Sequence, residues 1–170
     1  MKDKRVSLIS YIIMKLEKYG QLAFFTGLKT ADIQLLAPYF APQTWVAGTV
    51  IFEQADYAEY LYLVVSGEVT IHYKPHDGPI MTVTRVQPGG IFGWSAAMNN
   101  PAYTSGAVCS LDSEVLRIRG TDLRGLCDKH PELGRIILDR LAGVIAERQQ
   151  SQQGSVSSIL ASGMRHSSRN

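Results

Sequence analysis

The acid, base and nucleophile side chains of this sequence are scattered along the chain. The four histidines lack the paired spacing of metal ligands. They are His72, His76, His130 and His166. The acidic residues that precede the first predicted hairpin have no base or nucleophile beside them. They are Asp32, Glu53, Asp56 and Glu59. No G-x-S-x-G, H-E-x-x-H or Walker pattern occurs. We therefore expect no catalytic site and no metal site, and we expect that the protein is not an enzyme.

Composition narrows the class of protein further. The 170 residues are 45% hydrophobic and 19% charged, as in ordinary globular domains. The formal charge of +2 is too small to indicate a nucleic-acid-binding surface. No apolar run approaches the roughly 20 residues that span a bilayer. Two cysteines, Cys109 and Cys127, are too few for a disulfide framework, and we interpret them as buried free thiols. We expect a cytoplasmic protein without membrane contact.

Helical periodicity frames the chain at both ends. Apolar residues recur every three or four positions over 6–18, which predicts an amphipathic helix. A second helix is predicted over 30–40, with Thr30 as its N-cap. After Gly120, Thr121 is the candidate cap of a third helix, and a long helix follows over 132–149. Its apolar stripe consists of Leu133, Ile136, Ile137, Leu141, Val144 and Ile145.

Between these helices the pattern changes to short β-branched and aromatic runs. The predicted strands cover 45–46, 49–52, 60–65, 68–73, 81–86, 91–92, 107–109 and 115–118. Glycines and prolines separate them, and His76-Asp77-Gly78 is a good hairpin turn. Short strands at this spacing indicate a small antiparallel roll or barrel.

Three segments carry a family resemblance. They are YLYLVVSGEVTIHYK (60–74), VQPGGIFGW (86–94) and EVLRIRGTDLRGLCDKHPELGRIILDRLA (114–142). Together they resemble the central hairpin, the entry to the phosphate-binding cassette and the last strand with two helices of the cyclic-nucleotide-binding family. That family includes catabolite activators, protein kinase A regulatory subunits and gated channels. IFGWSAAMNNPAYTSGAV (91–108) is the segment that resembles the cassette itself.

The resemblance implies an α+β fold. The expected architecture is an antiparallel β-roll or jelly roll (a double-stranded β-helix), with helices at its N-terminus and a long helix at its C-terminus. We divide the chain into an amphipathic helix (1–20), the nucleotide-binding-like domain (21–149) and a disordered tail (150–170). The tail is too short for the helix-turn-helix domain of the family's transcription factors, so we expect no direct DNA binding.

A cyclic phosphate is held in this family by three devices. Glycines allow close approach of the backbone, a short helix presents free N–H groups, and an arginine beside a Ser or Thr neutralises the charge. The resemblance places candidate ligand-binding residues at Gly89, Gly90, Phe92, Gly93, Trp94, Ser95, Ala96, Tyr103 and Thr104. Residues 95–98 are predicted to form the short helix, with Ser95 as its N-cap or as an anion contact.

The charged devices of the cassette are missing. Trp94 stands where the family has a glutamate, and Tyr103 stands where it has the arginine, next to Thr104. No Arg or Lys occurs between Arg85 and Arg117. Losing the cation that pairs with a buried phosphate costs on the order of 3–5 kcal/mol. The cassette is therefore degenerate, and cyclic AMP bound in the usual way is not expected. A cyclic nucleotide with a remote cation, another small anion, or no ligand remain as alternatives.

The resemblance implies a stand-alone, bacterial-looking regulatory or sensor module that responds to a small ligand. A second hypothesis is a protein-interaction module whose pocket is filled by Trp94, which could otherwise be a stacking platform. A third is a fragment of a Crp/Fnr-like regulator that lacks its DNA-binding domain. The stripe on 132–149 either packs on the chain's own roll or pairs two chains. We expect a homodimer through this helix. We also expect a further protein partner, whose identity the sequence does not give.

Overall fold

A computed structural model describes residues 2–18, 25 and 27–146, with side chains from residue 8 onward. The described chain contains eight strands between helices at either end. The strands are β1 (Ala41–Trp45), β2 (Val50–Phe52), β3 (Tyr60–Ser66), β4 (Val69–Tyr73), β5 (Met81–Val86), β6 (Ile91–Phe92), β7 (Gly106–Cys109) and β8 (Ser113–Arg119). The prediction of an α+β antiparallel roll is confirmed.

The strands form two four-stranded antiparallel sheets. One has the order β1-β8-β3-β6 and the other has the order β2-β7-β4-β5. The predicted hairpin joins β4 to β5, with Tyr73 paired to Met81 at the turn end. The first strand begins at Ala41, earlier than predicted. Its Pro42 is tolerated because β1 lies at the edge of its sheet, where a missing N–H costs no ladder bond.

The central strands β3 and β8 are buried on both faces, which explains their nearly continuous apolar sequence. Alternate residues of the two strands, including Leu61 and Leu116, belong to a core shared with the helices. The residues between them, including Tyr62 and Val115, belong to a second core inside the roll. Side chains of a strand alternate between faces, so one sheet supports two separate cores.

Four helices cover the outer face of the β1-β8-β3-β6 sheet. They are α1 (Lys2–Lys18), α2 (Thr30–Leu36), α3 (Gly120–Lys129) and α4 (131–146). A 3-10 turn over Ala37–Tyr39 follows α2, where Pro38 prevents the regular helix from continuing.

Two helix caps differ from the prediction. The N-cap of α2 is Lys29, whose backbone N–H donates to the Asp32 carboxylate at 2.8 Å, so Thr30 is already inside the helix. The N-cap of α3 is Arg119, because β8 runs directly into the helix and leaves no loop in which Thr121 could cap it.

The apolar stripe of α4 packs on the chain's own core. Leu133, Ile137 and Leu141 are buried in the helical cluster together with Ile12 and Leu16 of α1. A homodimer through this helix stays a prediction, and it would have to use the rest of the helix surface. Residues 147–149 of the predicted helix and the predicted tail (150–170) lie outside the described residues. None of the described helices is long and apolar enough to cross a membrane.

Candidate functional site

The cassette segment leaves β6 through irregular turns. The N–H of Ala96 donates to the Gly93 carbonyl, that of Met98 to Trp94 and that of Asn100 to Ser95, so the loop sizes change at each step. A regular helix needs one constant spacing between donor and acceptor. The predicted short helix over 95–98, with Ser95 as its N-cap, is therefore wrong: residues 94–99 are turns.

Gly93 allows the cassette to lie directly on β3. Its φ of +75° is in the left-handed region. A Cβ atom at this position would lie 2.7 Å from the Tyr60 carbonyl oxygen and 2.9 Å from Cδ2 of Tyr62. The glycine is required both by the backbone turn and by close packing against the strand.

Tyr103 points into the roll. It is 5% exposed, and its hydroxyl donates to the Tyr60 carbonyl at 2.8 Å and accepts from the Tyr60 N–H at 2.9 Å. Burial raises the pKa of the Tyr103 phenol, so the hydroxyl stays protonated and keeps donating. The backbone of Tyr60 thus supplies both a donor and an acceptor to this hydroxyl.

Stacked rings fill the interior beside the cassette. The ring centroids of Tyr103 and Phe52 are 3.7 Å apart, with an angle of 15° between the ring planes. Those of Tyr62 and Phe92 are 4.8 Å apart, with an angle of 9°. The cavity that remains has a volume of about 10 Å³, which is the room of about one water molecule. Small-molecule pockets measure several hundred Å³. The residues present therefore do not fit a nucleotide in this conformation.

The structure brings five of the nine predicted site residues together around this cavity. They are Gly93, Trp94, Ser95, Tyr103 and Thr104. Phe92 and Ala96 are buried in the roll core. Gly89 and Gly90 form the turn before β6, where the Gly89 N–H donates to the Val64 carbonyl at 2.7 Å and that of Gly90 to Gln87 at 2.9 Å. Their amides are engaged within the protein.

Trp94 does not occupy the interior. It contributes to the cavity wall, and its half-buried side chain packs against the helical cluster. The rings that fill the roll are those of Tyr103 and Phe52. The hypothesis that Trp94 fills the pocket is therefore corrected: Tyr103 and Phe52 fill it, because Trp94 follows the sharp turn at Gly93 and leaves on the helix side.

Arg117 lies on the roll side of β8, over the Tyr60 ring. The Arg117 guanidinium carbon is 4.2 Å from the Tyr60 ring centroid, and the residue pairs with Tyr62 across the sheet. Among the buried side-chain nitrogens and oxygens of the described residues, only its Nε has no hydrogen-bond partner. Burial raises the pKa of the neighbouring Tyr62 phenol far above its usual range, despite the opposing effect of Arg117.

The cassette contacts the start of α3 directly. A Cβ atom on Gly120 would lie 2.1 Å from the Ala96 carbonyl oxygen, so only glycine fits there. The Arg124 guanidinium, one turn further along the helix, donates to the same carbonyl oxygen. Gly120 also donates its N–H to the Glu59 carbonyl at 2.9 Å. A displacement of Ala96 must therefore move α3 or break these contacts.

A shallow groove lies at the other end of the roll and measures about 410 Å³. Its residues are Thr44, Trp45, Val46, Ser66, Asp112, Ser113 and Glu114. Both carboxylates already accept hydrogen bonds, Asp112 from the Ala47 N–H at 2.8 Å and Glu114 from the Tyr11 hydroxyl.

No group of three metal-ligating side chains is found among the described residues. Cys109 and Cys127 are both free thiols, as predicted, but only Cys109 is buried, whereas Cys127 is partly exposed.

Sequence reasoning missed Phe52, Gly120 and Arg124 as parts of the site, and it did not single out Arg117 on β8. Phe52 gave no signal, because its contact with Tyr103 crosses 51 residues of sequence. For Arg117 a signal existed: in EVLRIRG the alternation with Leu116 and Ile118 places the arginine on the opposite face of the strand.

This combination of roll, cassette and C-terminal helices defines a class of protein. The family model described as "Cyclic nucleotide-binding domain" matches residues 42–130, more than half of the chain. The chain belongs to the cyclic nucleotide-binding domain family.

Individual relatives agree with this assignment. The chain is 29% identical over 124 residues to the cyclic AMP receptor protein of Thermus thermophilus, covering 73% of this chain and 56% of that protein. The chain thus spans little more than half of that relative. The solved catabolite activator protein of T. thermophilus is similar with a TM-score of 0.68 and 26% identity, covering 81% and 62% of the two chains. A cyclic nucleotide-binding domain from Methylobacillus flagellatus shares the fold with a TM-score of 0.76 and 21% identity, covering 88% and 85%.

Proposed function

We propose that the protein is a regulatory module that senses a small ligand at the cassette and transmits the change to its C-terminal helices. The observation that carries the proposal is the contact of Ala96 with Gly120 and Arg124. The cassette and α3 share one carbonyl oxygen, so their positions are coupled. Family membership and the catabolite-activator-type relatives support a regulatory role.

Ligand entry requires a change in the roll. With about 10 Å³ free, an occupant has to displace the Tyr103 ring from Phe52. Tyr103 is held by its two hydrogen bonds to the Tyr60 backbone, so the closed form is the ground state and the open form is a minor state that the ligand selects. Tyr103 and Ala96 both lie in the segment 93–105. A displacement of Tyr103 is therefore transmitted along this segment to Ala96.

The test has two stages. A thermal-shift panel of cyclic nucleotides and other small anions first identifies a ligand, for which we expect a rise of several degrees in Tm. The amide resonances of Gly93 and Gly120 are then followed during a titration with that compound. We expect both to shift in the natural protein, and we expect Arg124→Met to reduce the response of Gly120 while that of Gly93 persists.

Arg135→Met is the matched control. Arg135 lies on α4 and forms exposed ion pairs with Glu132 and Asp139, away from the cassette. It should leave the Gly120 response unchanged. An equal response of Gly120 in the Arg124 variant and the natural protein would contradict the proposed route.

A second candidate function is a protein-interaction module that binds no small ligand. The filled interior favours it, because the rings of Phe52 and Tyr103 already occupy the space beside the cassette. The absence of any Tm shift with every compound at millimolar concentration would support this candidate against the sensor. The hypothesis of a regulator fragment is tested separately, by reading the gene beyond Asn170 for a helix-turn-helix.

A further inference from the structure

The roll-facing side of β8 carries a cation whose environment is incomplete. Arg117 and Tyr60 are both half-buried, and Arg117 forms no ion pair with a described residue. Its Nε–H is buried without an acceptor among the residues that the structure describes. A buried charged donor without a partner carries a large desolvation cost, so such groups are usually paired with a ligand, an ion or water.

The local charge balance leaves one positive charge. Two guanidiniums lie over the same Tyr60 ring, that of Arg117 at 4.2 Å and that of Arg119 at 5.4 Å. Arg119 is neutralised by Glu59, with 2.9 Å between Nη1 and Oε1. Arg117 has no such carboxylate, and its cross-strand neighbour Tyr62 is a protonated phenol because burial raises its pKa. The charge of Arg117 therefore has no counter-ion among the described residues and can pair with an anionic ligand.

The position of this charge relates it to the cassette. Tyr60 and Tyr62 have ring centroids 6.1 Å apart, and Cδ2 of Tyr62 lies 2.9 Å from the Cβ position of Gly93. Arg117 thus contacts Tyr60, whose neighbour Tyr62 is the ring against which Gly93 of the cassette packs. The contact with Tyr60 restrains the guanidinium, whose planar fork of N–H donors matches the two oxygens of an oxyanion.

We propose that Arg117, lying over the Tyr60 ring, forms an oxyanion-binding subsite on the roll face of β3 and β8, which takes a phosphate or carboxylate group of a small molecule. The subsite rests on the proposed sensor function, for which it supplies the cation that the cassette segment lacks. Arg117 lies on β8, whereas the position of the family's arginine is occupied by Tyr103 in the cassette segment.

The experiment follows the arginine Nε–H resonances of the whole chain while inorganic phosphate or acetate is added at constant ionic strength, with chloride as the reference salt. We expect a saturable shift of the Arg117 resonance with at least one of the two anions and none with chloride. Saturation by phosphate alone assigns phosphate-bearing ligands, and saturation by acetate alone assigns carboxylates.

Three variants refine the assignment. Arg117→Met removes the cation, and Arg117→Lys keeps the charge without the planar fork. We expect binding of the effective anion to weaken at least tenfold in the methionine variant and by less in the lysine variant. Arg119→Met is the matched control, because this neighbouring arginine lies over the same ring but already has Glu59 as its partner. It should change the dissociation constant by no more than twofold.

Two results would overturn the subsite. One is an Arg117 resonance that responds to phosphate and acetate only as it does to chloride, and the other is an equal loss of binding in the Arg119 and Arg117 variants. The Gly93 and Gly120 amides separate this failure from that of the sensor. Their response to a ligand while Arg117 stays silent overturns the subsite and leaves the sensor standing. A saturable Arg117 response without movement of Gly120 supports the subsite and removes the sensor.

Discussion

The two faces of the β3–β8 pair are made by the same strands and have opposite characters. Toward the helices the strands present Leu61, Leu63, Leu116 and Ile118, all fully buried and aliphatic. Toward the roll they present Tyr60, Tyr62 and Arg117 near the cassette, where hydroxyls, rings and a guanidinium meet. These four residues offer no polar side-chain atom to recognise a ligand, whereas Tyr60, Tyr62 and Arg117 offer hydroxyl and guanidinium groups.

This difference separates stability from recognition within one pair of strands. The aliphatic face binds the helices through apolar burial, which is non-directional and depends on area. The roll face depends on hydrogen bonds and on the placement of one charge, which are directional. Because the period of a strand is two, neighbouring residues can serve the two purposes independently.

The largest expected effect is on the helix face. Leu116→Ala removes a fully buried side chain between the sheet and the helices, and we expect the free energy of unfolding to fall by about 2–5 kcal/mol. Urea denaturation measures it. Leu138→Ala is the control, because Leu138 is 55% exposed on the described surface and its truncation should change stability by no more than about 0.5 kcal/mol. Equal effects of the two variants would contradict the assignment of Leu116 to the core between the sheet and the helices.

A smaller effect is expected on the roll face. Tyr103→Phe keeps the ring on Phe52 but removes the hydroxyl that pairs with both the N–H and the carbonyl of Tyr60. Leaving such groups unsatisfied costs about 1–3 kcal/mol. Chemical denaturation again provides the measurement, with Tyr57→Phe as control because Tyr57 is 72% exposed. A Tyr103 variant as stable as the natural protein would show that the ring alone holds the closed form.

The smallest effect is a dependence on alkaline pH. Burial raises the pKa of Tyr62 above its ordinary value of 10.0, so the unfolded state loses this proton before the folded state does. The stabilising contribution is therefore complete below pH 10 and is lost progressively as the pH rises above it. Denaturation curves between pH 9 and 11 should show a shallower decline for Tyr62→Phe than for the natural protein. Parallel declines would mean that Tyr62 is solvated in the folded state.

Much of the architecture could be predicted because it is written in local patterns. The alternation and turn residues located seven of the eight strands and only the last residue of β1, and the His76-Asp77-Gly78 turn located one hairpin. The helix starts were less accurate, since the caps at Lys29 and Arg119 depend on a nearby carboxylate and on the strand that precedes the helix. The short cassette helix failed because its hydrogen bonds change spacing at every step.

The site was predicted only in part, because its geometry depends on residues far apart in sequence. Tyr103 was named, but its stacking on Phe52 and its bonds to Tyr60 are long-range contacts. Trp94 was considered either as a stacking platform or as the residue that fills the pocket, and the turn at Gly93 directs it to the helices. The coupling of Ala96 to Gly120 joins two segments 24 residues apart, each of which looks ordinary alone.

The sequence by itself determined the roll, the positions of most of its strands along the chain and the absence of any Arg or Lys between Arg85 and Arg117. These properties follow from residue types and periods of two or 3.6, which act over a few neighbouring positions. Only the tertiary structure decided that Tyr103 fills the interior, that Ala96 touches α3 and that Arg117 lies over Tyr60 with a buried, unpartnered Nε. Those facts depend on which side chains meet when the sheets close, and packing settles that collectively.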